Sequence, residues 1–258
     1  MESMVNVGLI GVGTVGSGVA RALLEKTGML EHRIGTRVQL RRVCDRDFQH
    51  VRGFKIPSSL TTRDPAKILQ DPEIQLVVEL IGGIEPAKTL ILEALRRGKH
   101  VVTANKALLA HAGQELFRAA TRAQRDLYFE ASVGGGIPII KGLREGLIAN
   151  ELDAILGIVN GTSNYVLTRM REGSLSFHEA LLEAKHHGYA ERDPSLDING
   201  NDAAHKLAIL TLLGFGVQVP LSAIHIEGIS TISPADIRYA DELGYCVKPL
   251  AIAKRVDR

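Results

Sequence analysis

Val5-Asn-Val-Gly-Leu-Ile-Gly-Val-Gly-Thr-Val-Gly16 is the stretch on which the fold turns. Val5 to Ile10 is a β-rich run, and the glycine pattern after it leads straight into Val15 to Leu24, a segment of helical character. A lone G-x-G-x-x-G carries little weight, but between a strand and a helix it reads as a dinucleotide-binding turn. Without a Cβ, Gly11 and Gly13 let the backbone turn tightly and approach a pyrophosphate, while Gly16 lets the helix pack on the strand. The loop Gly11, Val12, Gly13, Thr14, Val15, Gly16 then offers amides and the positive end of a helix dipole.

Downstream, the polar insert Lys26 to Arg37 precedes a second strand, Val38 to Cys44, which ends in Asp45. An acid there bonds adenosine ribose hydroxyls and disfavours a 2′-phosphate, which argues for NAD. The adjacent Arg46 and nearby Arg52 could instead neutralise the phosphate of NADP, so the choice stays open. Asp64-Pro65 opens a short helix to about Gln70. Gln75 to Ile81 is a continuous apolar strand, as expected of one buried on both faces, and Gly82-Gly83 after it permits close approach of a nucleotide. Helix Glu85 to Arg97, with Gly98 at its C′ position, leads to strand Lys99 to Thr103. This alternation predicts an α/β, Rossmann-type doubly wound parallel sheet, which binds ligands beyond the carboxyl ends of its strands. At such an end stands Thr103-Ala-Asn-Lys106. Lys106 is either a cofactor-cleft lysine or a surface lysine at a helix start, where a cation is poorly placed.

The second half reads as a mixed α/β domain. Asp126 to Ser132 is a strand, and Val133-Gly-Gly-Gly-Ile-Pro138 opens helix Ile139 to Ala149. Those glycines fit a backbone crowded by a ligand or a neighbouring element, a cation held by successive carbonyls, or a hinge. Strand Leu152 to Asn160 runs into Gly161-Thr-Ser-Asn164 and helix Tyr165 to Arg171; Ser176-Phe-His-Glu179 is a capping box for helix Phe177 to His187. The loop from Gly188 carries Glu191, Asp193, Asp197 and Asp202, then Lys206, before Leu207 begins a run apolar on every side. A helix apolar all round is buried. Asp202 and Lys206, four apart, share its first face, so this charged start opens onto a cleft or an interface; on a surface helix the same spacing would be a solvated pair. Strand Ala223 to Ile229, a helix from Ser233-Pro234 to Leu243 and strand Tyr245 to Val256 complete the chain. The expected domains are 1–130, dinucleotide-binding, and 131–258, for substrate and dimerisation.

Composition narrows the function. With 31 basic and 29 acidic side chains among 258 residues, the net charge is +2. No extended basic field exists, and five Tyr, six Phe and no Trp offer little for base stacking, so nucleic acid is not expected as a partner. Cys44 and Cys246 have neither metal-ligand nor redox spacing and are expected as small core residues. The N-terminus has no basic region ahead of its apolar run, and Leu207 to Val217 is about half of the ~20 residues a membrane span needs. A cytoplasmic protein with no membrane partner is expected.

A dinucleotide domain joined to an acid-lysine cluster suits hydride transfer on a small zwitterion: carboxylates hold an ammonium group, and a lysine binds or protonates a developing alkoxide. Gly11 to Gly16, Val78-Glu-Leu-Ile-Gly-Gly83, Val101-Val-Thr-Ala-Asn-Lys106, Glu130-Ala-Ser-Val-Gly-Gly-Gly-Ile-Pro138, Gly161-Thr-Ser-Asn-Tyr165 and Gly188 to Lys206 together resemble homoserine dehydrogenase. The resemblance implies reversible oxidation of L-homoserine to L-aspartate 4-semialdehyde with NAD or NADP, in the route to threonine, methionine and isoleucine. It makes Lys106 and Lys206 the catalytic pair, Lys206 being the preferred proton donor or acceptor, with Asp202 holding Lys206 and the substrate. Glu191, helped by Asp197, would meet the substrate ammonium, and Tyr189, Gly161 and Thr162 would complete the pocket. Gly82 and Thr103 would join the glycine loop, Asp45, Arg46 and Lys106 around the cofactor. The resemblance further implies a monovalent cation such as Na+ on the carbonyls of Glu130, Val133, Gly135 and Ile137, and a homodimer formed through the second domain's sheet. Family chains normally continue into a glycine-rich segment, a returning helix and often a regulatory domain; this chain stops at Arg258, which predicts weaker cofactor binding than a longer chain would show. A sugar or inositol dehydrogenase would carry Glu-Lys-Pro where this chain has Asn-Lys-Ala. A dinucleotide-sensing module or a purely structural domain would not need Glu191, Asp202 and Lys206.

Overall fold

The computed structural model describes residues 4–49, 51 and 54–256; Arg52 lies outside them. Two compact units divide the chain, Met1–Ile137 and Pro138–Arg258.

In the first unit, strands Met4–Ile10 (β1), Arg37–Cys44 (β2), Thr61–Thr62 (β3), Leu76–Glu79 (β4), His100–Thr103 (β5) and Leu127–Tyr128 (β6) alternate with helices. These are Thr14–Glu25 (α1), Thr27–Ile34 (α2), Ala66–Leu69 (α3), Ala87–Arg96 (α4) and Lys106–Ala123 (α5). The six strands pair in the order β3-β2-β1-β4-β5-β6, and every pairing is parallel. The order reverses between β1 and β4, so the loops after those two strands stand at the switch point where such sheets bind ligands. Val7, Leu9, Val12, Leu40 and Val43 form a buried cluster with Ala20 of α1.

Two expectations for this unit give way. The polar insert folds as α2, which buries no residue and so carries no core stripe; Gly35, left-handed at φ 72°, ends it and was its sequence signal. Strand 126–132 shrinks to β6, because β5 offers only Val101 and Val102 as partners; Glu130–Ser132 turns into a 3₁₀ helix instead.

In the second unit, the helices are Ile139–Lys141 (α6), Gly161–Glu172 (α7), Phe177–His186 (α8), Ser195–Ile198 (α9), Asn201–Phe215 (α10) and Pro234–Glu242 (α11). Strands Ala154–Gly157 (β7) and Ala251–Lys254 (β8) pair antiparallel. Both halves of the capping box at Ser176 and Glu179 form, as do those at Ser233 and Asp236. Val166, Leu167, Met170, Ala180, Ala184, Ile229 and Ile237 make the core. The helix expected over 139–149 is α-helical only to Lys141 and continues as a π-type turn to Gly146, as suits a segment weakened by Gly142 and Gly146. The alternating run 223–229 is no strand: Ile229 N–H donates to Ile198 O (2.8 Å), and no ladder forms along it. Likewise only Ala251–Lys254 of the segment 245–256 finds a partner. Strand propensity without a facing strand leaves an extended coil. Among the described residues, no helix is long and apolar enough to cross a membrane.

Glycine at position 16 is dictated by packing: a Cβ there would stand 2.0 Å from Gly11 O. Gly16→Ala should therefore lower the stability of the first unit by about 1–3 kcal/mol, read as a fall in its denaturant midpoint.

Candidate active site

The charged start of α10 is built from four elements. Asp202, in the first turn, is 4% exposed, and an acid there suits the helix dipole. One turn on, Lys206 Nζ donates to Asp202 Oδ2 (2.6 Å) and to the carbonyl of Val159 (2.7 Å); the side chain is only 17% exposed. Asn160 closes the group from the start of α7. Its Nδ2 donates to Asp197 Oδ1 (2.7 Å) on α9 and to Asp202 Oδ2 (2.8 Å), while its Oδ1 accepts from Ser163 N–H (2.8 Å) as the N-cap. Ser163 Oγ donates to Asp197 O (2.9 Å), which pins α9 to α7. Strand β7 ends at Gly157 rather than Asn160, because the next groups of the chain face Lys206 and the acids.

Around this group, Thr162 Oγ1 donates to Tyr189 O (2.6 Å). The exposed Tyr189 ring lies 4.7 Å from that of Tyr165, whose hydroxyl donates to Glu183 Oε1 (2.9 Å). Burial first, and then Glu183, push the Tyr165 phenol up. Glu191 is exposed on the loop ahead of α9. Asp193 serves its own turn, where it accepts from the hydroxyl and N–H of Ser195, which hold its carboxyl below the usual range.

At the switch point of the first unit, Asp45 Oδ2 accepts from Val12 N–H (2.6 Å) and Oδ1 from Asp47 N–H (3.0 Å), so this acid also shapes the glycine loop. Arg46 beside it is exposed. Gly11, at φ 100°, would push a Cβ to 2.6 Å from the Leu80 backbone. Gly13 differs: nothing lies within 4 Å of its would-be Cβ, and its φ of −60° is open to any residue. No neighbour in the protein requires glycine there, but a pyrophosphate laid on the start of α1 would. The loop thus fits a dinucleotide. Across the crevice, Glu79 is fully buried at 0% exposure. It accepts from Ile81 N–H (2.8 Å), Gly82 N–H (3.3 Å) and Thr103 Oγ1 (2.6 Å). Thr103 Oγ1 in turn accepts from Asn105 N–H (3.0 Å), and Asn105 Nδ2 donates to Gly83 O (2.6 Å). Asn105 caps α5 through Leu108 N–H (3.1 Å), which sets Lys106 at the first helical position.

A cavity of about 730 Å³ also lies in the second unit, walled by Leu167, Leu207, Phe215, Val219, Ile226 and Ile252 among others. Asn160 and Asp197 border it, whereas Asp202 and Lys206 are not among its walls. Its α10 lining residues, such as Ala204 and Thr211, are about 200° and 180° round the helix from Asp202.

Residues 138–257 match the family described as homoserine dehydrogenase, and residues 11–130 the one described as homoserine dehydrogenase, NAD binding domain. A solved structure from Archaeoglobus fulgidus assigned to homoserine dehydrogenase is 34% identical, with a TM-score of 0.87 over 98% of this chain and 81% of that one. The chain belongs to the homoserine dehydrogenase family. The homoserine dehydrogenase of Thiobacillus denitrificans is similar at 45% identity and a TM-score of 0.91, over all of this chain and 60% of that one. The homoserine dehydrogenase of Neisseria gonorrhoeae is 45% identical over 98% of this chain, which spans 58% of that protein's length.

Of the residues singled out in the sequence, Asp197, Asp202 and Lys206 meet in one hydrogen-bonded group, with Gly161, Thr162 and Tyr189 beside it. Lys106 belongs to the first unit and Lys206 to the second. Thr103 has its hydroxyl engaged with Glu79 and Asn105. Cys44 is buried, and burial, ahead of Asp45 and Asp64, pushes its thiol up to about 11; Cys246, expected in the core, is exposed. Among the described residues, no group of three or more His, Cys, Asp or Glu side chains could hold a metal ion. Sequence reasoning missed Asn160, Glu79 and Asn105. The signal for Glu79 was an acid inside the apolar run Val77 to Leu80; for Asn160 and Asn105 it was an N-capping residue just ahead of a helix.

Gly13→Ala should leave the unfolding midpoint within error yet weaken dinucleotide binding by about tenfold or more, measured by calorimetry; unchanged affinity would show that nothing approaches the loop there.

Proposed function

We propose that the protein catalyses the reversible oxidation of L-homoserine to L-aspartate 4-semialdehyde with NAD or NADP, in threonine, methionine and isoleucine synthesis. The observation that carries this reading is the Lys206 ammonium, held by two acceptors, Asp202 Oδ2 and Val159 O. Neither partner can donate, so the third N–H is left for a substrate oxygen. The glycine loop and Arg46 of the first unit would hold the nicotinamide cofactor, which would supply or accept the hydride. In reduction Lys206 gives its proton to the aldehyde oxygen as the hydride arrives; in oxidation the neutral amine accepts the hydroxyl proton. Lys106, on the first unit, is the second lysine of the proposed catalytic pair.

Glu191 and Asp197 suit the substrate's α-ammonium, and the N–H groups of Gly161 and Thr162 at the start of α7 suit its carboxylate. The ring of Tyr189 closes the pocket, and Asp202 keeps Lys206 oriented. Asp45, Gly82, Thr103 and Lys106 join the glycine loop in the cofactor site. Carbonyls of Glu130, Val133, Gly135 and Ile137 would hold a monovalent cation such as Na+, in a loop whose Gly134 and Gly136 take positive φ. We further infer a cytoplasmic homodimer, in line with two free cysteines. Support for the dimer comes from Leu156 and Ile252, which face each other across the β7–β8 ladder and are both exposed.

Absorbance of the reduced nicotinamide, followed with L-homoserine and either NAD or NADP, tests the activity and decides the cofactor. Lys206→Ala should lower turnover by about 10²-fold or more with folding intact; unchanged turnover would remove Lys206 from the acid-base role.

A further inference from the structure

We propose that Asn160 is a positioning residue that holds Asp197 and Asp202 together as paired acceptors and thereby fixes Lys206. The inference rests on the activity proposed above and adds to it a residue that touches no reacting atom.

The amide of Asn160 has only one possible orientation. Its Oδ1 accepts from the main-chain N–H of Ser163, which can only donate. Both hydrogens on Nδ2 must therefore face the acids, and each has one: Asp197 Oδ1 at 2.7 Å and Asp202 Oδ2 at 2.8 Å. All three hydrogen-bonding positions that Asn160 uses are filled, at 4% exposure. Two carboxylates brought this close repel, and the Asn160 amide donates to both of them. It also shares Asp202 Oδ2 with Lys206 Nζ, so the oxygen that holds the lysine is itself held. The neighbouring Val159 carbonyl takes a second ammonium proton (2.7 Å). One dipeptide, Val159-Asn160, thus grips the lysine through its first residue and both acids through its second. A different N-cap such as Ser would serve helix α7 about as well but could not span two carboxylates, so capping alone does not account for Asn.

Asn160→Asp separates the two roles, because it keeps an acceptor for Ser163 N–H while replacing two N–H donors by a third carboxylate. Its turnover of homoserine should fall by about 10- to 100-fold at pH 8 and recover as pH is lowered, since crowded carboxylates favour protonation of one of them and a protonated carboxyl can donate. The unsubstituted protein should show no such recovery. Asn160→Ser keeps the cap without adding charge; it should raise KM for homoserine and lower kcat together, with KM for the cofactor unchanged, and it decides the matter if Asn160→Asp fails to fold. Independently of activity, 15N-lysine-labelled protein should give a slowly exchanging Lys206 ammonium signal, assigned with Lys206→Arg, that Asn160→Ser abolishes. A retained signal with unchanged kinetics and pH profile would overturn the proposal. Loss of the signal in a protein that does not oxidise homoserine would uphold the positioning role and defeat the activity reading.

Discussion

Burying Asp202 and Lys206 at the head of α10 is the constraint to which the rest of the second unit answers. Removing one partner of a buried ion pair costs about 3–5 kcal/mol, because the other charge is left without compensation. An N-cap contributes only about 1 kcal/mol, so the local backbone bends to serve the charges. Strand β7 ends early so that Val159 O can reach Lys206, α7 starts at the point where Asn160 faces the acids, and α9 is tied to α7 through Ser163. The elements meet here because a charge left without a partner in a low-dielectric interior is costly.

The first unit solves the same problem with a carboxylate that has no cationic partner among its hydrogen bonds. Glu79 is answered by two loop N–H groups and the Thr103 hydroxyl. Its acceptors draw the loop after β4 down, while Thr103 and Asn105 tie that loop to the start of α5. The loops after β4 and β5, on one side of the glycine turn, are therefore one hydrogen-bonded body, and Lys106 is carried on it rather than on a free helix end. In both units an acid that looks misplaced by hydropathy organises loops at the carboxyl end of a strand.

What could be read from the residues follows from which forces are local. The parallel sheet was legible because strands buried on both faces must be apolar throughout, and the capping box at Ser176 because its partner lies three residues away. The apolar run after Lys206 announced a buried helix for the same reason. Helix α2, which buries no residue, was hidden, and the segments 223–229 and 245–250 promised strands whose existence depends on a partner far along the chain. Within the site, the Asp202–Lys206 pair showed through its i,i+4 spacing. The bridge from Asn160 spans 37 and 42 residues to its two acids, and no local pattern encodes that distance.

Concavity and chemistry largely part company in this unit. A helix apolar on nearly every side can bury both faces, and α10 does so, with residues such as Ala204, Leu207 and Thr211 toward the 730 Å³ cavity and the charged pair about half a turn away. Walls such as Leu167, Val219, Ile226 and Ile252 would strip water from a zwitterion, and desolvating an uncompensated charge is prohibitive. Charged residues at the cavity offer little in return: Lys248 already donates to Asn164 and Thr168, Lys254 is exposed, and Glu227 keeps its side chain 82% exposed. Asp197, which the cavity shares with the site, has one carboxylate oxygen taken by Asn160. A small substrate bearing both an ammonium and a carboxylate needs fixed acids and fixed N–H groups within hydrogen-bond reach. The first turns of α10 and α7 supply both on adjacent helix ends, while the remaining turns of α10 carry only apolar side chains and Thr211. The charged start of the helix, and not the hollow behind it, is where such a molecule can be held.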